Sequence, residues 1–216
     1  MMKNLFQILC GLFLVVSYSS CMHSEEDKVD VLIIGGGASG VTSGIQSARM
    51  GANTLILEES TWLGGMLTSA GVSAVDGNYR LPAGLWGEFK NRLSDYYGGL
   101  DSLKTGWVSN VLFEPSVGNK ILHEMVAAEN NLKVWKQACL EEVKRTGDEW
   151  VAKVKVEGQG VKTVRAKVMI DATELGDVAK MCGVKYDIGM ESRDDTRILL
   201  RKRRIILCRI LLMLPY

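Results

Sequence analysis

The chain has 216 residues, of which 47% are hydrophobic, and its formal net charge at pH 7 is +1. This length suits one domain, or one domain with an inserted lobe, and the hydrophobic fraction predicts a globular protein with a core. The near-neutral charge gives no support to a nucleic-acid partner, and five cysteines without a CxxC pair, together with only two histidines, argue against a zinc site or a redox dithiol. We therefore expect neither a nucleic-acid partner nor a metal.

Residues 1–20 have the organisation of a secretory signal peptide. Lys3 gives a positive start, and the apolar run 5–16 is shorter than the roughly 20 residues that a membrane-spanning helix needs. SYSSC follows and resembles a bacterial lipoprotein signal, in which Cys21 becomes the lipidated first residue of an exported protein of the cell envelope. Because Tyr18 stands where such signals prefer an aliphatic residue, cleavage without lipidation is the alternative, and a buried N-terminal helix is a third.

Residues 29–58 predict a strand, a glycine turn, a helix and a second strand. The apolar, β-branched run Val31–Ile34 is typical of a buried parallel strand. Residues 38–50 have a helical period, and Gly51 is placed to end this helix in a left-handed conformation. The segment 53–57 is a second apolar run, so the unit predicts a right-handed βαβ crossover.

The turn carries three glycines spaced as G-x-G-x-x-G, Gly35, Gly37 and Gly40. We expect Gly35 to allow the tight turn, Gly37 to let a pyrophosphate approach the backbone, and Gly40 to let the helix pack against the sheet. Ala38 and Ser39 begin the helix, whose N-terminal amides and dipole favour phosphate. The turn therefore predicts a dinucleotide site.

Glu58, with Glu59 beside it, supplies the acid that such a site needs after the second strand. Glu58 lies 23 positions after Gly35 (58 − 35), close to the usual separation of about 20. A carboxylate there accepts hydrogen bonds from a ribose diol and disfavours NADP, whose 2′-phosphate it repels. FAD and NAD both satisfy this pattern.

Residues 71–113 have little strand character and predict an inserted lobe that faces a substrate. Within it a helix is predicted over 85–97, with an apolar side formed by Leu85, Trp86, Phe89, Leu93 and Tyr96. Asp76, Tyr79 and Arg80 are candidate substrate contacts, although ordinary loop residues are the favoured interpretation. No catalytic residue is identified.

A further helix is predicted from Pro115 to about Asn130, with an apolar stripe of Val117, Ile121, Leu122, Met125 and Val126. His123 lies off this stripe and is expected to be solvated. Residues 132–143 predict a third strand region. The alternating segments EWVAKVKVE and KTVRAKVMI flank Gly158-Gln159-Gly160, which predicts an antiparallel hairpin whose second arm ends in DATELGD.

The segments VLIIGGGASG, LILEE, WLGGMLTSAG and VMIDATELGDVAK together resemble the FAD-dependent oxidoreductases with a glutathione-reductase-like flavin domain, over about residues 30–192. The resemblance implies an α/β fold, with a Rossmann-like parallel sheet and an antiparallel β-meander inserted after its third strand. The FAD-binding domain would be 29–192, with a helical insertion lobe at 71–113 inside it.

The same resemblance implies noncovalent FAD and assigns further site residues. Gly64, Gly65 and Met66 would approach the extended cofactor. The late motif would reach the flavin side through Ala172, Thr173, Gly176 and Asp177, whereas Glu174 stands where glycine is commoner. Leu140 would contact the adenine by position only, Cys139 would be structural, and Cys182 would be a helix-packing thiol.

The segment 193–216 differs sharply in composition, alternating basic and aliphatic blocks in RILLRKRRIILCRILLMLPY. A basic amphipathic membrane helix and a docking helix are two interpretations. We favour a third, in which a frame change or a truncated gene replaces the natural C-terminus.

The resemblance implies an FAD-binding oxidoreductase, as a domain or truncated form, that transfers hydride between a small-molecule substrate and flavin. A non-catalytic flavoenzyme fragment and an NAD-dependent dehydrogenase are the alternatives. Membrane contact is expected only through a lipid anchor at Cys21, and the oligomeric state is not predicted.

Overall fold

The structure, a computed structural model, describes residues 26–77, 79–107 and 109–186. The predicted signal peptide with Cys21 and the segment 193–216 lie outside these ranges. The strands are β1 Glu26–Ile34, β2 Thr54–Glu58, β3 Leu132–Lys136, β4 Ala138–Thr146, β5 Glu149–Val156 and β6 Gly160–Asp171. The helices are α1 Ala38–Arg49, α2 Gly84–Tyr97, α3 Pro115–Ala127 and α4 Asp177–Met181. Among the described residues, no helix combines the length and apolar character needed to cross a bilayer.

The six strands form one sheet in the order β3-β2-β1-β6-β5-β4. Strands β3, β2, β1 and β6 are parallel neighbours, while β6, β5 and β4 are joined as an antiparallel meander. The expected α/β fold is therefore confirmed. Strand β6 belongs to both parts of the sheet. One of its edges pairs antiparallel with β5, and the other pairs parallel with β1 from Glu26↔Thr163 to Ile34↔Asp171.

The predicted third strand region is two strands, because the chain breaks at Gln137. This residue has a φ of 52°, a left-handed conformation that is uncommon for residues other than glycine. Its N–H donates to the carbonyl of Ser60 and its own carbonyl accepts from Glu157, at 3.2 and 3.0 Å. These bonds hold the break, after which β4 runs antiparallel to β5 instead of continuing β3.

The alternation of side chains along β1 and β2 divides the core between the two faces of the sheet. On one face Ile33 and Ile56, both fully buried, pack against α1, α2 and α3. On the other face Leu32 and Leu55 join buried residues of the meander and Val178 of α4. Both strands are therefore covered on two sides, as expected for a parallel sheet.

The helix predicted in the lobe 71–113 is α2. Phe89 and Leu93 are buried, and the Phe89 ring meets that of Phe113 edge-on with centroids 5.4 Å apart. The predicted place of Tyr96 on the apolar side is wrong, because its side chain is 53% exposed. Tyr97 packs against the core instead, and its hydroxyl accepts a hydrogen bond from the backbone N–H of Glu114 at 2.9 Å.

Helix α3 buries all five residues of its predicted apolar stripe. The expectation of a solvated His123 is wrong, since the side chain is half-buried. Burial, followed by the positive charge of Lys136, holds the pKa of His123 below its ordinary value. This histidine is therefore more strongly held in its neutral form than a surface histidine.

Candidate functional site

A groove of about 550 Å³ opens where β1, β2 and β6 end. Ligands of open parallel sheets bind at this carboxyl edge of the strands. The lining residues are Ile34, Gly35, Gly36, Gly37, Leu57, Glu58, Glu59, Ser60, Gly65, Met66, Ser69, Ala70, Val72, Ala138, Leu140, Ala172, Thr173, Glu174, Leu175 and Asp177.

The glycine turn forms the floor of this groove. Gly35 has a φ of 103°, and a Cβ built there would lie 2.4 Å from the carbonyl oxygen of Ala172. A Cβ on Gly40 would lie 1.9 Å from the carbonyl oxygen of Gly35. Both contacts are with backbone, which cannot rotate away. The geometry thus agrees with the turn predicted at Gly35 and the close packing predicted at Gly40.

Gly37, unlike Gly35 and Gly40, has room for a Cβ. It is the N-cap of α1, and a Cβ there would meet only the Glu174 carboxylate, at 3.7 Å. Within the described part of the chain, no side chain caps α1, whose first two residues, Ala38 and Ser39, are exposed. The first amides of α1 therefore lack a side-chain partner, and the helix dipole adds a partial positive charge.

The second glycine segment lies directly against the first. The N–H of Gly64 donates to the carbonyl of Gly36 at 2.8 Å, and Gly37 and Gly64 form a parallel bridge. A Cβ on Gly65 would approach the Cα of Gly37 to 3.1 Å, whereas one on Gly64 would meet the Leu122 side chain at 2.6 Å. Gly65 therefore shapes the groove, while Gly64 is required by the core behind it.

The Glu58 carboxylate is fixed by two backbone donors. Its Oε2 accepts from the N–H of Gly36 and its Oε1 accepts from the N–H of Ser60, both at 2.7 Å. A Cβ on Gly36 would lie 2.7 Å from this Oε2, so the middle glycine of the turn, which the sequence pattern did not single out, is also required. A carboxylate has about four acceptor positions, so Glu58 retains acceptor capacity for a ligand.

Asp171, at the end of β6, organises the late motif. Its Oδ1 accepts from both the N–H and the hydroxyl of Thr173, at 3.0 and 2.6 Å, and its Oδ2 accepts from the N–H of Ala179 at 2.8 Å. The Thr173 hydroxyl in turn accepts from the N–H of Asp177 at 2.8 Å. Asp171 was not among the residues predicted for the site, although an aspartate two residues before a threonine at a strand end is a turn signal.

The start of β4 also contributes to the wall of the groove. Ala138 and Leu140 are buried and line the groove, and both belong to the meander strand β4 instead of the third parallel strand. Between them the exposed thiol of Cys139 donates to the Glu59 carboxylate at 3.3 Å, and burial and then this bond raise its pKa. The prediction that Cys182 packs a helix is wrong, because this thiol is exposed.

The groove brings most of the predicted cofactor residues together. Those that do not line it are Ala38, Ser39, Gly40, Gly64 and Gly176. Gly176 has a φ of 72° and is the N-cap of α4. The candidate substrate contacts lie elsewhere, in a loop of the lobe where the buried Lys90 donates to the carbonyls of Tyr79 and Leu81 at 2.7 and 2.8 Å. Tyr79, Arg80 and Asp76 are not among the residues lining the groove.

The charged side chains that line the groove are all acidic. Four carboxylates line it, from Glu58, Glu59, Glu174 and Asp177, and its described lining contains no lysine or arginine. Across residues 26–77, 79–107 and 109–186, no group of acidic, cysteine and histidine side chains is arranged to hold a metal ion. Positive potential for an anion at this groove therefore comes from backbone amides.

Comparison with known proteins gives a family match over most of the chain. The model of a family described as FAD dependent oxidoreductase matches residues 30–203. No curated protein matches the chain in sequence.

Solved structures similar to the chain include three flavoprotein or enzyme structures at low identity. A flavoprotein/dehydrogenase from Cytophaga hutchinsonii is 18% identical, with a TM-score of 0.57 over 76% of this chain and 44% of that one. A geranylgeranyl bacteriochlorophyll reductase-like protein from Thermoplasma acidophilum is 18% identical, with a TM-score of 0.54 and the same coverage of 76% and 44%. An anhydrotetracycline hydroxylase from Streptomyces rimosus is 14% identical, with a TM-score of 0.55 and coverage of 76% and 35%. The likeness shows the fold, and the chain spans less than half the length of these structures.

Proposed function

Because the chain belongs to the FAD dependent oxidoreductase family, whose cofactor is FAD, we propose that the groove at the ends of β1, β2 and β6 holds this cofactor. We also propose that the whole protein transfers a hydride between a small-molecule substrate and the flavin. The observation that carries the proposal is the floor of the groove, where two glycine segments leave backbone open to a ligand.

The residues of the floor fit a pyrophosphate. A side chain at Gly37 would stand in the groove, and a side chain at Gly35 would collide with Ala172. A phosphate can therefore come close to the amides at the start of α1, where Ala38 and Ser39 supply donors that no side chain of the described residues caps. Gly40 supports this arrangement from behind, because it lets α1 approach the turn.

The walls supply contacts for the two halves of the cofactor. Glu58, with its remaining acceptor positions, would hold the ribose diol, with Glu59 beside it. The buried Leu140, with Ala138, offers an apolar surface for the adenine.

Gly65 and Met66 from the second glycine segment, and Ala172, Thr173 and Asp177 from the late motif, line the groove and would face the flavin half of the cofactor. The Asp171 hydrogen bonds hold the late motif in place, so its backbone is preorganised for a ligand.

When bound, FAD supplies the redox chemistry, accepting or donating a hydride through its ring system. The chain itself contributes binding and orientation. Its amides would hold the phosphates at the floor, and Glu58, anchored by Gly36 and Ser60, would position a ribose. The late motif closes the groove on the side of β6.

Retention of flavin by the purified full-length chain tests this proposal. We expect the protein to keep FAD through gel filtration, with an absorbance band near about 450 nm, the usual region for oxidised flavin. Gly37→Val should lose it, because the new side chain enters the groove. Gly106→Val is the matched control, since Gly106 is exposed, lies outside the groove and has room for a Cβ.

The outcome also separates the alternatives. A colourless protein that binds NADH would favour the NAD-dependent dehydrogenase. A wild-type chain that loses all flavin, and so behaves like Gly37→Val, would refute FAD binding by this groove.

We further propose that the chain is exported to the cell envelope and anchored by a lipid on Cys21. The support is the sequence of residues 1–20, with its positive start, its short apolar run and the small residues before Cys21. A lipid on this cysteine would hold the domain at a membrane surface without a spanning helix.

A further inference from the structure

The carboxylate of Glu174 lies over the floor of the proposed pyrophosphate site. Its Oε1 is 3.7 Å from the position of a Cβ on Gly37 and 3.3 Å from that of a Cβ on Gly65. These are the two glycines whose missing side chains open the floor. Glu174 therefore places a negative charge at the point where the phosphates of a dinucleotide would bind.

The Glu174 carboxylate forms no hydrogen bond or ion pair in the part of the chain that the structure describes, unlike the Glu58 and Glu59 carboxylates. Both oxygens of Glu58 accept backbone N–H groups, and Glu59 accepts the Cys139 thiol. No hydrogen bond or ion pair of the described residues includes the exposed Glu174, and no basic side chain shares the groove lining with it. Its charge is thus uncompensated by any neighbouring cation of the groove.

The proposed ligand is itself an anion, so its phosphates and Glu174 repel each other. We propose that Glu174 is a specificity-determining residue that lowers the affinity of the groove in proportion to the phosphate charge of the ligand. This inference rests on the proposed FAD site. It predicts that the groove selects the pyrophosphate diester of FAD over the more highly charged terminal phosphates of ADP.

The repulsion also fixes the sign of the salt effect. Exposed charges interact over about one Debye length, roughly 10 Å at 0.1 M salt, and added salt weakens the interaction. A phosphate site built from lysine and arginine loses affinity as salt is added. Here the groove is lined by four carboxylates, so the affinity for FAD should increase with salt.

The test is titration of the full-length chain with FAD, ADP and adenosine at low and high salt. Glu174→Gln removes the charge and keeps the shape of the side chain. Asp148→Asn is the matched control, because it removes one exposed carboxylate from the β4–β5 turn, at the end of β4 away from the groove.

At low salt we expect Glu174→Gln to bind FAD about threefold more tightly, the size typical of an exposed charge pair, and to gain more for ADP. Adenosine binding should not change, Asp148→Asn should behave like wild type, and the gain should shrink at high salt.

Three results would overturn the inference while leaving the FAD site intact. They are equal FAD affinity of wild type and Glu174→Gln, weaker binding by Glu174→Gln, and a wild-type affinity that falls with salt. Absence of FAD binding in every variant, with folding verified by circular dichroism, would instead remove the proposed function and this inference with it.

Discussion

Replacing Gly40 with alanine tests the close approach of α1 to the glycine turn. The new Cβ would lie 1.9 Å from the carbonyl oxygen of Gly35 and 3.3 Å from the Cβ of Ala172. The first contact is far inside van der Waals distance and is with backbone, so helix and turn must separate. Gly44→Ala, in the same helix, is the matched comparison, because its Cβ would meet the Cδ1 of Ile56, a rotatable side-chain atom, at 2.6 Å.

The expected magnitudes follow from two opposing contributions. Alanine in place of glycine favours a helix by up to about 1 kcal/mol in both variants. Overpacking costs about 1–3 kcal/mol, and Gly40 should lie at the upper end because its contact is with backbone. The free energy of unfolding should therefore fall by about 2 kcal/mol in Gly40→Ala and by about 0–1 kcal/mol in Gly44→Ala.

Urea denaturation followed by circular dichroism measures this difference. With a slope of about 2 kcal/mol per molar urea, the midpoint of Gly40→Ala should be about 1 M below wild type, and that of Gly44→Ala close to it. Equal midpoints for the two variants would refute the argument that backbone contact at Gly40 fixes how closely α1 packs.

Three further predictions concern positions outside the floor. Arg49 lowers the pKa of Glu88 by donating to its carboxylate, so this pair stabilises the fold above the usual pKa of 4.5 and its contribution is lost as the pH falls below that value. Arg49→Met, which also removes the bond from Arg49 to Glu129, should cost up to about 1 kcal/mol at pH 7, and an equal cost at pH 3 in urea titrations would contradict this. Asp171→Asn replaces one acceptor oxygen by a donor and so loses the bonds to either Thr173 or Ala179, and Tm should fall by about 3–6 °C in a thermal melt. Cys21→Ser should abolish incorporation of radiolabelled fatty acid in cells, and unchanged labelling would exclude Cys21 as the anchor.

The first βαβ unit was predictable nearly residue by residue. The expected strands Val31–Ile34 and 53–57 and the helix 38–50 agree with β1, α1 and β2 to within a few residues, apart from the earlier start of β1. Glycine conformations and hydrophobic periods are local properties, which explains this success. Gly35 and Gly51, for example, have positive φ angles of 103° and 91°, at the points where the pattern needs a turn and a helix end.

The features that the sequence did not predict depend on contacts between distant segments. The break at Gln137 has no glycine or proline to mark it and is held by Ser60 and Glu157. The helix period alone did not distinguish Tyr96 from Tyr97, which lie about 100° apart around α2, because the position of the lobe decides which ring is covered. The need for glycine at position 36 likewise follows only from the folded position of Glu58.

The double pairing of β6 has a consequence for the synthesis of the chain. Glu26 of β1 pairs with Thr163, which the ribosome adds 137 residues later (163 − 26). Until β6 has left the ribosome, one edge of β1 has no partner, and such an edge is prone to pair with other chains. The wall of the groove at Ala172–Asp177 is made later still. The proposed FAD site is therefore complete only after nearly all of the described chain has been synthesised.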